Sequence, residues 1–208
     1  MDNCTEYNLA KELFGDNFIG IFELSELKSL NLQVPSQIPA IPFSYKELSR
    51  KKDDYLLILG VKKFSDGKYV NLRNLIRLFG KDPEISEPCF YNQDWYNNED
   101  FLDKSLNDEW FLVRKDVYSD SRAVQPDELI EKYSFPSAIV CAYSFFVAWE
   151  SKGMKLWYHD FVWCSDKDHN GDRIYVGKYH DVDGVNKNGF SIHRHLSLRP
   201  CYGCIDIS

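Results

Sequence analysis

Apolar and polar positions follow different periods in different parts of the chain. In residues 6–31 the apolar side chains recur at helical spacing, and Gly15 can end the first of two helices there. Continuous apolar runs at 55–61 and 110–113 each predict a buried strand. The first half of the chain therefore mixes short helices with isolated strands.

Residues 137–151 are apolar on every side of a helix. A helix of this kind has no face suited to water, so it must be packed on several sides. Gly153 follows it and can end it, and a shorter helix is predicted between the capping residue Asn71 and Gly80. We expect residues 137–151 to form the buried central helix of the fold.

Apolar and polar residues alternate in three stretches after this helix, at 157–165, 173–179 and 190–198. Alternation with a period of two is typical of half-buried strands. The chain is therefore predicted to have an α+β fold, with a helical N-terminal part, a buried central helix and a small antiparallel C-terminal sheet.

Residues 34–42 hold three prolines, which remove backbone donors and disfavour helix before them. This segment is the clearest boundary in the sequence. We predict a helical N-terminal extension at 1–43 with a proline-rich boundary, followed by an α+β domain at 44–208. The length of 208 residues suits this division.

The net charge of −7 argues against a general nucleic-acid binder, because such proteins need a basic face. Residues 82–109 hold nine Asp or Glu against one Lys, and we interpret them as a solvated acidic surface. The first residues lack the pattern of a secretory signal, and no apolar stretch reaches the roughly 20 residues of a membrane span. We therefore predict a cytoplasmic location and no membrane partner.

Residues 166–172 carry carboxylates and an amide at alternate positions: Asp166, Asp168, Asn170 and Asp172. This order matches the opening of a calcium loop, which supplies oxygen ligands from alternate residues. The twelfth position is Gly177 instead of the usual Glu, however, and the flanking residues are predicted strands. The same Asn-Gly pair also favours a plain β-hairpin turn. Calcium binding and a turn without metal both remain open.

A second turn rich in Asp and Asn follows one strand later, with Asp181, Asp183 and Asn186. Two such turns at the same end of a sheet, together with His169 from the first, would form one polar surface. We predict that these residues contact a ligand.

His193 and His195 lie two apart on the last predicted strand, so their side chains share one face of the sheet. Such a pair is a common metal-ligand geometry, and a divalent transition metal is one occupant. The alternative is the open polar face of a half-buried sheet that meets solvent or a partner. We include both histidines among the predicted ligand-binding residues.

Four short segments follow one another as strands or strand ends: 163–166 (Trp-Cys-Ser-Asp), 173–177, 189–192 and 198–200. Their order resembles the C-terminal end of bacterial C-type-lectin-like domains, a group that includes the formylglycine-generating-enzyme type. The Gly-Gly-Ser-Trp motif and the catalytic cysteine context of that type are missing here. The resemblance therefore implies a binding fold without that oxidase activity, with its ligand face lined by the loops near Asp166 and Asp183.

Two functional hypotheses follow. The first is a non-catalytic protein that binds another protein or a small molecule through the loop-rich end of the C-terminal sheet, with calcium as one possible organiser. The second is a metal-dependent hydrolase of the phosphodiesterase or nuclease type, with His193 and His195 as ligands and Asp166, Asp168 or His169 completing the site. The chain has no phosphate-binding glycine loop, H-E-x-x-H or G-x-S-x-G motif, so the sequence singles out no catalytic residue.

Overall fold

The computed structural model describes residues 4–157, 159–178, 189–194 and 198–208. Its elements confirm the predicted α+β class. The helices are α1 (Tyr7–Phe14), α2 (Ile21–Glu26), α3 (Tyr45–Lys51), α4 (Leu72–Phe79), α5 (Pro126–Leu129) and α6 (Ala138–Lys152). The strands are β1 (Phe18–Ile19), β2 (Tyr55–Leu59), β3 (Trp110–Arg114), β4 (Phe161–Lys167), β5 (Arg173–Lys178), β6 (Phe190–Arg194) and β7 (Tyr202–Gly203). Short 3₁₀ helices lie at Gly15–Asn17, Asp100–Asp103 and Ser119–Ser121. In the described ranges, no helix is long and apolar enough to cross a bilayer.

The first sheet has the strand order β1-β2-β3 and forms early in the chain. β2 is buried along its whole length and pairs antiparallel with β3, with Leu57 opposite Leu112. These two strands confirm the prediction that the apolar runs at 55–61 and 110–113 form strands. β1 joins β2 in parallel, with Phe18 opposite Leu57. It was not predicted, because two residues are too few to show a period.

The second sheet has the order β6-β5-β4-β7. β4, β5 and β6 pair antiparallel as predicted, but β7 lies parallel to β4, with Phe161 opposite Tyr202. The three predicted strands thus form an antiparallel sheet, and the addition of β7 makes the whole sheet mixed. β4 also starts later than expected, at Phe161, because Trp157 adopts a positive φ of 49° in the turn before it.

Helix α6 is the centre of the fold, as its apolar sequence predicts. Its first eleven residues are all buried, the Ser137 hydroxyl accepts from the amide of Val140, and Gly153 ends it with a φ of 65°. The helix packs on β4 and β5 of the second sheet and on α2 and α4. The Tyr143 hydroxyl donates to the carbonyl of Leu59 at the end of β2, at 2.8 Å. One helix thus connects both sheets.

The residues before position 44 contribute to the same hydrophobic core as the rest of the chain. Phe18, Ile19 and Leu30 are each at most 1% exposed and belong to the cluster that also contains α6. The amide of Thr5 donates to the carbonyl of Ile41 at 3.2 Å, which holds the two ends of this segment together. The division into an extension and a domain stays a prediction.

Candidate functional site at the end of the C-terminal sheet

The turn between β4 and β5 is organised by the Asp168 side chain. Its Oδ1 accepts from the backbone amides of Asn170 at 2.9 Å and Asp172 at 2.8 Å. Gly171 adopts a φ of +86°, a conformation that side chains rarely allow. The predicted hairpin turn is therefore confirmed, and Asp168 is the residue that shapes it.

Behind this turn lies a group of four charged or titratable side chains, which we call the terminal cluster: Glu99, Asp168, His169 and Arg194. The Oδ2 of Asp168 lies 2.7 Å from the Arg194 guanidinium, which also approaches Glu99 at 3.9 Å. Glu99 binds His169 twice, since its Oε2 accepts from the backbone amide at 2.9 Å and its Oε1 lies 2.6 Å from ring Nδ1. Three separate segments of the chain are joined by these contacts.

Both carboxylates of the terminal cluster are buried, and this makes their partners essential. The Glu99 side chain is 5% exposed and that of Asp168 is inaccessible, whereas the His169 side chain is 66% exposed. Burial by itself would raise the pKa of Asp168, but the Arg194 guanidinium and the amides of Asp172 and Asn170 more than offset it and lower that pKa. Asp168 is therefore ionised at neutral pH.

The exposed imidazole of His169 is held in one orientation by the buried Glu99. A carboxylate behind a histidine fixes the ring orientation and favours one tautomer. Because Nδ1 faces Glu99, the ring presents its Nε2 edge outward, and no described residue forms a hydrogen bond with Nε2. The terminal cluster therefore presents an oriented hydrogen-bonding group at the surface.

Asp166 lies outside the terminal cluster. Its Oδ2 accepts from the backbone amide of Ala138 at 2.7 Å, and its Oδ1 pairs with Lys104. The Asp166 side chain is only 1% exposed. It thus binds the first turn of α6 to β4 and belongs to the support of the fold.

The four predicted calcium ligands are therefore not gathered around one point. Asp166 and Asp168 bind different cationic side chains, and each of their four oxygens accepts from a protein donor. Asn170 and Asp172 are exposed, and their backbone amides are what Asp168 binds. A calcium ion at this turn would have to displace both protein cations.

We expect millimolar calcium to leave the melting temperature of the protein unchanged, because the required carboxylate oxygens already have protein partners. Thermal unfolding with calcium and with a chelator measures this, and magnesium controls for ionic strength. A calcium-specific rise in melting temperature that disappears in Asp166→Ala would contradict the expectation.

Glu99, Asp168 and His169 are nevertheless the described residues that come nearest to a metal-ligand set, with one donor atom of each within 4.8 Å of the others. Carboxylate and imidazole ligands together suit zinc or manganese. Arg194, however, already places a positive charge 2.7 Å from Asp168. The set therefore fits a metal only after the guanidinium has moved away.

His193 lies on the other face of the second sheet from Arg194, because neighbours on a strand point to opposite sides. Its ring stacks on Tyr175 at 5.5 Å, and its Nδ1 lies 3.3 Å from the side-chain amide of Gln93. Burial, followed by the nearby Arg199, lowers the pKa of His193. His193 thus packs in an aromatic layer apart from the terminal cluster, and the predicted residues Asp181, Asp183, Asn186 and His195 lie outside the described residues.

The segment 89–95 runs along β6 and places Glu99 beside the hairpin turn. The amide of Phe190 donates to the carbonyl of Cys89 at 2.8 Å, and the amide of Tyr91 donates to the carbonyl of Phe190 at 2.9 Å. Gly189 allows this approach, since a Cβ there would lie 2.2 Å from the carbonyl carbon of Phe90.

Side chains continue the same contact towards the end of β6. The amide of Ile192 donates to Oε1 of Gln93 at 3.1 Å, and the Trp95 indole donates to the carbonyl of Ile192 at 3.0 Å. The Arg194 guanidinium stacks over the Trp95 ring at 4.6 Å. Trp95 therefore belongs to the surface around the terminal cluster.

The sequence interpretation missed Glu99, Arg194 and Trp95. Glu99 lies in the stretch interpreted as a solvated acidic surface, and its 4% exposure makes that interpretation wrong at this position. The neighbouring apolar pair Phe101 and Leu102 was a signal, because both are buried and draw the adjacent backbone inward.

Comparison of the chain with known proteins gave no match to a family model, to a curated protein or to a solved structure.

Proposed function

We propose that this protein is a non-catalytic binding protein whose ligand surface surrounds the terminal cluster. This surface combines the oriented His169 imidazole with the hairpin residues Asn170 and Asp172 and with the Trp95–Arg194 stack. The ligand is a protein segment or a small molecule, and the resemblance to C-type-lectin-like domains supports a binding fold.

The observation that carries this proposal is the pair of contacts between exposed His169 and buried Glu99: the carboxylate accepts from the His169 backbone amide at 2.9 Å and lies 2.6 Å from its ring Nδ1. Burial of a carboxylate is costly unless its partners are well placed. Here the buried carboxylate of Glu99 orients the His169 side chain, which is 66% exposed and contributes little to the core. Groups fixed before the ligand arrives lose less conformational entropy on binding.

A second candidate is a metal-dependent hydrolase, and the donor set of Glu99, Asp168 and His169 favours it. In that function the carboxylates and imidazole would hold the metal, which would activate a water molecule. The Arg194 contact to Asp168 counts against it, because the guanidinium already places a positive charge 2.7 Å from that carboxylate.

Binding to peptide and glycan arrays tests the proposal. We expect the wild-type chain to retain specific array members, and His169→Ala and Trp95→Ala to lose them by tenfold or more, about 1.4 kcal/mol each. Lys46→Ala, an exposed change on α3, is the matched control and should bind as wild type. Equal binding by all variants would exclude this surface.

Turnover of bis(p-nitrophenyl) phosphate with added zinc or manganese separates the two candidates. The binding proposal expects no metal-dependent turnover. Metal-dependent turnover that disappears in His169→Ala and survives in Lys46→Ala would reject the binding proposal and support the hydrolase.

A further inference from the structure

A second surface, on α4 and the segment before it, differs in charge from the rest of the chain. The whole protein has a net charge of −7, yet residues 62–77 contain five Lys or Arg against a single Asp. Helix α4 buries Leu72, Leu75 and Phe79 and turns its basic residues outward. This stretch therefore places a local excess of positive charge on an exposed part of the surface.

We call this surface the basic face and define it by Lys62, Lys63, Lys68, Tyr69 and Arg77. The ammonium groups of Lys62 and Lys63 lie 6.0 and 5.2 Å from the centre of the Tyr69 ring. Such contacts hold the two side chains near the ring and leave their charge uncompensated. Among the described residues, neither of these lysines nor Arg77 forms an ion pair.

Two cavities lie on either side of the short bridge between Leu32 and Phe64. One has a volume of about 260 Å³, with Leu30, Phe64 and Leu78 as its apolar lining and with Arg77 and the Lys68–Asp66 ion pair as its charged residues. The other, of about 510 Å³, lies between residues 33–37 and the pair Lys62 and Lys63. Basic side chains therefore lie beside a cavity that is partly apolar.

A neighbouring arginine on α4 already binds a carboxylate of this chain. Arg73, on α4, binds Asp103 through two parallel hydrogen bonds of 2.8 Å each. The guanidinium of Arg77, one turn further along α4, donates to the side chain of Asn74 at 3.1 Å and to no other residue in the part of the chain that the structure describes. Arg77 can therefore receive a carboxylate from outside in the same two-pronged geometry.

We propose that the basic face binds an acidic peptide segment of a partner protein. Carboxylates of the segment pair with Lys62, Lys63 and Arg77, and one aliphatic side chain enters the cavity lined by Leu30, Phe64 and Leu78. A polypeptide fits better than a nucleic acid for two reasons. The cavity has an apolar lining of Leu30, Phe64 and Leu78, which suits an aliphatic side chain. The negative charge of the whole chain also repels a long polyanion.

Fluorescence anisotropy with a labelled ten-residue peptide of Glu and Asp around one central Leu tests the proposal. We expect saturable binding that weakens as salt rises. The triple variant Lys62→Glu, Lys63→Glu and Arg77→Glu should bind at least about tenfold more weakly. The matched control reverses three basic residues on or next to α3, with Lys46→Glu, Arg50→Glu and Lys52→Glu, and should bind within about twofold of wild type.

Two further measurements keep the proposal falsifiable. Replacing the central Leu of the peptide by Ser should weaken binding to the wild type, and Leu78→Asp should remove that preference while circular dichroism shows an intact fold. Absent binding of the peptide, or equal loss in both triple variants, would overturn the proposal. Tighter binding of an oligo(dT) of equal charge, lost in the same basic-face triple, would assign the surface to nucleic acid and also overturn it.

Discussion

We expect Asp168→Ala to lower the free energy of unfolding by about 3 kcal/mol. The variant removes the ion pair with Arg194 and the acceptor for the amides of Asn170 and Asp172. Among the described residues, Arg194 then keeps the longer 3.9 Å contact to Glu99 as its one ion pair. Urea unfolding followed by circular dichroism measures the loss, and Asp53→Ala, an exposed change, should stay within about 0.5 kcal/mol of wild type.

The effect of Asp168 should depend on pH in a defined direction. Its pKa is lowered in the folded protein from an ordinary value of 3.8. The stabilisation is therefore fully present above that value and is lost as the pH falls through the lower, folded pKa. The difference between wild type and Asp168→Asn should be constant near neutral pH and shrink on acidification. A constant difference down to strongly acidic pH would show that the charge of Asp168 contributes nothing.

A second large effect is expected from Phe146→Ala, at about 4 kcal/mol. Phe146 is fully buried on α6 and stacks on Phe79 at 4.0 Å between ring centres. It also meets Phe90 at 4.7 Å and Phe190 at 5.8 Å. These rings come from α4, from the segment along β6 and from β6 itself, so the cavity left by Ala separates three elements.

The matched control is Phe22→Ala, because this ring is 65% exposed on α2. It should change the unfolding free energy by less than about 0.5 kcal/mol. Denaturant unfolding of both variants gives the comparison. If the two truncations cost the same, the ring cluster around Phe146 is not a main source of stability.

The local parts of the fold could be predicted from the sequence because their causes are local. Asn71 caps α4 with its side chain and Gly80 ends it, as their positions indicated. The uniform apolar character of 137–151 placed α6 at the centre. The Asn-Gly pair at 170–171 predicted the hairpin turn, although not that Asp168 binds the turn from within.

The terminal cluster could not be predicted, because its contacts join residues far apart in the chain. Glu99 and His169 are 70 positions apart, and nothing in either neighbourhood indicates the other. The acidic composition of 82–109 also predicts that the whole stretch lies at the surface, whereas the fold buries Glu99. The parallel pairing of β7 with β4 could not be predicted either, because a strand of two residues carries no signal of its direction.

The segment 89–95 has one more consequence, for the behaviour of the protein at high concentration. An outermost strand normally offers unpaired backbone groups that can recruit a strand from another molecule and start aggregation. Here the backbone of Phe190 and Ile192 is already paired, by Cys89 and Tyr91 on one side of the contact and by the side chains of Gln93 and Trp95 on the other. The segment covers the edge of β6, so conditions that detach it should promote self-association.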